Sequence, residues 1–254
     1  MSFAIHSEGA VLYAEIDRPD ALNAIDFSVM KGLEDALELL QRSPGLRVFV
    51  LRGQGSRAFV AGGDLRAFHA LTTHDDVERM GARMHAILNG FERLDCWTIA
   101  SINGDAYGGG CELALAFDFR IASDHARFGF TQARFHLTPG WGGLTRLVEC
   151  VGRRRALGWL AQCAVLDTEQ ALATNLIDRI APASELQAAT RAWAEELAVQ
   201  DRELIGALKQ GALRALELPR SQAIAAEMAP FCALWTGDEH QARVEQFLKR
   251  KPTS

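Results

Sequence analysis

The sequence predicts an α/β core followed by a helical tail, on three observations. Strand-like and helix-like apolar patterns alternate as far as about residue 180, the mark of a layered α/β domain. From about Ser184 onward the strand patterns stop and four helical patterns follow. With 254 residues, 48% of them apolar and 23% charged, the chain can bury a full core. The expected division is an α/β unit over 1–190 and a helical region over 191–254.

Taken in order, residues 10–16 read as a strand, closed by Asp17-Arg18-Pro19-Asp20. Residues 27–42 carry Val29, Met30, Leu33, Leu37 and Leu40 at helical spacing, with Asp26 placed to cap them and Ser43-Pro44-Gly45 to end them. Residues 47–51 form a strand that runs into a turn at Gly53 and Gly55. A helix over 75–94, a buried strand over 98–102, a helix over 112–117 and a strand over 119–122 follow. The tail reads as helices over 185–197, 202–216, 221–234 and 238–250. Repeating strand-strand-helix units are suggested by this order.

Several function classes are excluded. No apolar run approaches the ~18 residues that cross a bilayer. The first eight residues hold neither a basic leader nor an apolar signal core, which predicts a cytoplasmic protein. The five cysteines are scattered without a C-x-x-C pair, so neither a disulfide framework nor a zinc site is expected. The histidines form no metal-binding motif, and no metal is expected. A net charge of -5 with dispersed basic residues speaks against nucleic acid. Arg153-Arg154-Arg155 reads as a solvated helix start.

The most informative stretch runs from Ile102 to Leu113, where a strand leads into Gly108-Gly109-Gly110 and a helix opens behind them. Glycines let a ligand approach the backbone, and a helix start offers unpaired N–H groups with partial positive charge. One use is phosphate binding, since Gly104, Gly108 and Gly110 fit a dinucleotide-binding glycine spacing. Against it, the segment lies far from the first strand, neither Tyr13 nor Tyr107 has a lysine four residues on, and no G-K-[ST] follows. The other use is an oxyanion hole, which needs a second backbone donor. The stretch from Arg57 to Leu65, with Gly62-Gly63-Asp64 after a strand, can supply it.

These two segments, Ala58-Phe-Val-Ala-Gly-Gly-Asp-Leu65 and Asn103-Gly-Asp-Ala-Tyr-Gly-Gly-Gly-Cys-Glu-Leu113, resemble the signature pair of the crotonase superfamily, the enoyl-CoA hydratase/isomerase family. The resemblance extends to 18–24, 138–147 and 247–252, and so covers nearly the whole chain. It implies a spiral of strand-strand-helix turns with a C-terminal helical trimerisation region, working as a homotrimer or dimer of trimers. It implies an acyl-CoA thioester substrate, with CoA as part of the substrate and no separate cofactor. By the same resemblance the N–H groups of Gly63 and Gly109 hold the thioester oxygen, and Ala24, Ala61, Asp64 and Leu65 lie along CoA. Phe247 and Lys249 are implied to reach its adenine.

An enolate places negative charge on the thioester oxygen, and one oxyanion donor is worth ~2.7–4 kcal/mol of barrier. That defines the class; side chains choose the reaction. Glu112 stands at the position of one family acid/base carboxylate, although a glutamate in a helix's first turn also meets the dipole favourably. The second carboxylate position falls on Gln132, whose amide can orient a water but cannot exchange a proton. Missing acid/base help is worth ~10²–10⁴ in rate. Trp141 stands where ordinary hydratases carry small residues, and core packing is its plainest role. Asp118-Phe-Arg120 together with the Trp-Gly-Gly turn resembles members that decarboxylate substituted malonyl-CoA esters. The expected activity is therefore hydratase/isomerase-like with Glu112 as acid/base, the alternatives being decarboxylation or CoA binding without catalysis. His136 and Asp105 read as surface or loop residues.

Overall fold

A computed structural model describes residues 2–249. The chain forms two compact units, one ending at Val199 and the other beginning at Gln200.

The first unit opens with β1 (Phe3–Glu8) and β2 (Val11–Ile16), an antiparallel pair. Helix α1 (Phe27–Arg42) starts on Asp26, whose carboxylate accepts from Ser28 N and Val29 N. Its apolar stripe, Val29, Met30, Leu33, Ala36 and Leu40, is buried. Then come β3 (Val48–Gly53), β4 (Ala58–Val60), the short α2 (Leu65–Phe68) and α3 (His74–Glu92). The next turn is β5 (Trp97–Ile102), β6 (Asp105–Tyr107) and α4 (Gly109–Leu115). After β7 (Phe119–Ser123) and β8 (Phe128–Gly129), α5 (Gly143–Val151) and α6 (Arg153–Gln162) follow. The unit closes with β9 (Val165–Leu166), α7 (Thr168–Ala173), β10 (Arg179–Ala181) and α8 (Leu186–Leu197).

Three successive strand pairs share one plan. The first member of each, β3, β5 and β7, joins a six-stranded sheet of order β1-β2-β3-β5-β7-β10. The second member, β4, β6 and β8, joins a four-stranded sheet of order β4-β6-β8-β9. The pairings β2–β3–β5–β7–β10 and β4–β6–β8 are all parallel. Strand, strand and helix thus wind between two layers, the spiral that the signature segments implied. Central β3 reads Val-Phe-Val-Leu and is buried on both faces, as an interior parallel strand must be. On one face Phe49 stacks on Phe91 of α3 with centroids 5.0 Å apart, within the main core. On the other face Val48, Val50, Ile99 and Ile121 pack against Leu186 and Trp193 of α8.

Strand β1 is absent from the sequence-based reading, because as an edge strand it buries no residue fully and shows only weak alternation. Helices α5 and α7 also escaped it, since glycines and short lengths blur their periodicity, and of α6 only the start at the arginine run was read. Helix α4 begins three residues earlier than its apolar pattern, at Gly109. The arginine run opens α6 and is solvent-exposed.

The second unit contains α9 (Arg202–Glu217), α10 (Arg220–Thr236) and α11 (Asp238–Lys249). Its α10 exposes Ile224, Met228, Phe231 and Trp235. No helix among the described residues is long and apolar enough to cross a membrane.

Candidate active site

Two turns carry the glycines singled out in the sequence. After β4 the chain turns at Gly62, whose φ of +112° is strained for any residue with a side chain. Backbone bonds from Ile25 N to Gly62 O and from Asp64 N to Ile25 O, both 2.8 Å, straddle Gly63. After β6 the chain turns at Gly108, φ +51°, and α4 starts at Gly109. The two turns meet. A methyl group built on Gly62 would stand 3.5 Å from Gly109 N. Methyls on Gly63 and Gly109 would both reach the Trp141 ring, at 3.3 and 2.9 Å from the same Cη2 atom. One on Gly110 would overlap the Val60 carbonyl oxygen, so the bare Cα is what lets α4 close on β4. Neither Gly63 N–H nor Gly109 N–H is donated to a protein acceptor among the described residues.

Glu112 lies in the first turn of α4 and is only 4% exposed. Its carboxylate accepts four N–H bonds. Oε1 takes Gln132 Nε2 at 3.2 Å and Gly140 N at 3.3 Å; Oε2 takes Trp141 N at 2.7 Å and Gly143 N at 3.0 Å. The cause is local. Helix α5 has Gly142 at its N-cap, with no side chain to satisfy the first N–H groups, and Glu112 reaches across from α4 to take the first of them, Gly143 N, together with the Gly140 and Trp141 N–H groups of the turn before it. Both oxygens face only donors, so a carboxyl proton there would point at another hydrogen.

The 140–143 turn is held from its other side by Arg146. This buried guanidinium donates to Glu92 through Nε at 2.7 Å and Nη2 at 2.6 Å, to Asn89 Oδ1 at 2.7 Å and to Trp141 O at 3.0 Å. Trp141, 5% exposed, donates its indole N–H to Met80 Sδ at 3.4 Å. The indole is thus fixed against both glycine turns. Removing one partner of a buried ion pair typically costs ~3–5 kcal/mol. Arg146→Met is therefore expected to lower unfolding stability by ~3 kcal/mol in denaturant titration, and to reduce turnover by freeing Trp141.

Gln132 is 9% exposed, in a short 3₁₀ turn after β8. Its Nε2 is committed to Glu112, and its Oε1 is the single buried side-chain polar atom without a partner among the described residues. Such an orphan costs ~1–3 kcal/mol.

Along the edge of this site, Ala61 N donates to Leu22 O at 3.1 Å, which brings Ala24 beside Ala61, Gly63 and Asp64. Asp64 caps α2, accepting from Arg66 N and Ala67 N, and pairs with Arg18 Nη2 at 2.8 Å. The hydrogen bond from Arg18 leads the effects that hold the Asp64 carboxyl below its ordinary range. Leu65 is 54% exposed. Cys111, next to Glu112, is fully buried; desolvation pushes its thiol far up and keeps it from acting as a nucleophile.

Other residues make none of these bonds. Asp118 accepts from Thr98 N and Oγ1, and Arg120 donates to Leu176 O and Phe117 O, so both act as structural ties. His136 is exposed, and Asp105 is half-buried at the start of β6. Phe247 and Lys249 lie on α11 in the second unit; both are exposed, and Lys249 pairs with Glu245. Arg250 to Pro252, the end of the last resembling segment, fall outside the described residues. A separate cavity of about 300 Å³ opens on the α8 face of the large sheet, lined among others by Tyr13, Arg52, Ser101, Thr190 and Arg191. Its polar groups satisfy partners in pairs: Arg52 with Glu15, Ser101 with Thr190, Arg191 with Glu8. Sequence reasoning passed over Arg146, Glu92 and Met80. Arg146 left a signal, a lone cation on the turn of α5 that buries Leu147 and Val151.

A two-layer strand-strand-helix spiral, with two glycine turns offering free N–H groups beside a buried glutamate, defines the crotonase class. The family profile described as enoyl-CoA hydratase/isomerase matches residues 6–254. This chain belongs to that family and is an acyl-CoA-handling enzyme, enoyl-CoA hydratase/isomerase-like. It is 28% identical to the short-chain-enoyl-CoA hydratase of Clostridium acetobutylicum, over 97% of this chain and 94% of that one. It is 32% identical to the ethylmalonyl-CoA decarboxylase of Bos taurus, over 92% of this chain and 78% of that one. Among solved structures, Pseudomonas aeruginosa DspI superposes with a TM-score of 0.92 at 29% identity, over 100% of this chain and 96% of that one. The enoyl-CoA hydratase of Bacillus anthracis also gives 0.92, covering 98% and 96%, and at 24% identity it shows the fold alone.

Proposed function

We propose that this enzyme makes its thioester enolate by decarboxylating a substituted malonyl-CoA ester, with Gly63 N–H and Gly109 N–H holding the enolate oxygen. The observation that carries the reading is the saturation of Glu112 by four N–H donors. Deprotonation or hydration asks a carboxylate to take up or give a proton, and here each oxygen would first have to shed a donor. Decarboxylation asks for none: the bond from the α-carbon to the carboxylate breaks, CO₂ leaves, and the electron pair moves into the enolate. The Trp141 ring, packed on both glycines, supplies an apolar wall that deprives a carboxylate of hydration and costs uncharged CO₂ far less. The 32%-identical decarboxylase relative supports the same choice.

On this reading Ala24, Ala61, Asp64 and Leu65 border the CoA strand, Phe247 and Lys249 meet its adenine, and no cofactor beyond the substrate's CoA takes part. The free cysteines agree with a cytoplasmic enzyme. The exposed apolar side chains of α10 support a homotrimer or dimer of trimers.

The second reading is hydration or isomerisation with Glu112 as acid/base. It is favoured by the place of Glu112 two residues beyond Gly110, and by the hydratase relatives. A panel of crotonyl-CoA, methylmalonyl-CoA and ethylmalonyl-CoA with mass detection decides between them. The expected result is CO₂ loss from a malonyl ester at least ~10²-fold faster than hydration of crotonyl-CoA, the low end of what missing acid/base help is worth. Faster hydration would reverse the assignment.

A further inference from the structure

The orphaned acceptor of Gln132 bears on how the enolate is quenched, and here the argument rests on the decarboxylase reading. The orientation of this amide is fixed by chemistry. Only its NH₂ can face Glu112, because a carboxylate ringed by three backbone N–H groups has no hydrogen to give back. Oε1 therefore turns away from Glu112, buried and unpaired. It does so beside the glycine turn, since a methyl built on Gly108 would stand 4.0 Å from Gln132 Cδ. An unpaired acceptor at this place needs an O–H or N–H donor that the described residues do not provide. Neither a malonyl thioester nor its enolate has such a donor near the α-carbon. Water has.

We infer that Gln132 Oε1 holds the water that protonates the enolate. One hydrogen of this water is donated to Oε1, and the other is delivered to the α-carbon from the face that Gln132 occupies. The balance closes: the enolate and water give the acyl-CoA thioester and hydroxide, and hydroxide takes up the released CO₂ as bicarbonate. Gln132 exchanges no proton itself; it fixes the face from which the proton comes. An amide does this where a carboxylate would compete for the proton and repel Glu112.

Two measurements test this, and neither depends on the other. A crystal structure of the wild-type enzyme with acetyl-CoA bound is expected to show an ordered water within ~2.7–3.0 Å of Oε1 and adjacent to the acetyl methyl carbon. Oε1 facing only carbon or a protein N–H would overturn the inference. Methylmalonyl-CoA turned over in D₂O is expected to give [2-²H]propionyl-CoA of one configuration. Gln132→Met, which keeps the length and removes the acceptor, is expected to cut that configurational excess several-fold while CO₂ release falls less. Unchanged face selectivity in a folded Gln132→Met protein would also overturn it. If the wild type decarboxylates no malonyl ester, the decarboxylase reading falls, and the water at Oε1 still decides the role of Gln132.

Discussion

Gly110→Ala is expected to lower kcat by ~10²–10³ by displacing main chain rather than by removing a functional group. The added methyl overlaps the Val60 carbonyl oxygen, a backbone atom at the end of β4 that cannot rotate aside. Either β4 or the start of α4 must move; β4 leads directly into the turn of Gly63, and α4 begins at Gly109. If one of the two amides loses its aim, one oxyanion donor is lost, which is worth ~10²–10³ in kcat. Steady-state kinetics with the preferred CoA ester reads the effect as a fall in kcat. Wild-type turnover in a folded Gly110→Ala enzyme would show that the two turns do not act on one oxygen.

Glu112→Ala is expected to cost at least ~2 kcal/mol of unfolding stability. It strands the buried N–H groups of Trp141 and Gly143, and each unsatisfied buried donor costs ~1–3 kcal/mol. Glu112→Gln should be destabilised as well, because one of its two heads would set an NH₂ against backbone N–H groups. A glutamate present only to shuttle protons would give the opposite pattern: normal stability and lost activity. Urea titration of both variants beside the wild type separates the two. A carboxylate that caps a neighbouring helix is a structural part whatever else it does.

Much of this was legible in the residues. Asp26 was placed as a cap and accepts the two N–H groups it should, because capping is a local property of a few consecutive residues. The convergence of 58–65 and 103–113 was legible as two glycine turns after strands, and the parallel pairing of β4 with β6 brings it about. What stayed hidden depended on residues distant in sequence. That Glu112 is saturated follows from the 140–143 turn leading into α5, about thirty residues on, and no periodicity reports it. The Arg146–Glu92 pair spans two helices and is likewise invisible to any local window. Trp141 could be read as core or as site; the structure makes it a buried side chain that walls both glycines.

The ladder bonds on either side of Gly63 have a consequence for charge. Ile25 takes up the carbonyl before this residue and the amide after it, so the peptide between is braced like a rung with both neighbours nailed down. Water must swing its dipoles round when an anion appears, and that swing is part of the barrier in solution. An amide already locked in place has no such swing to make.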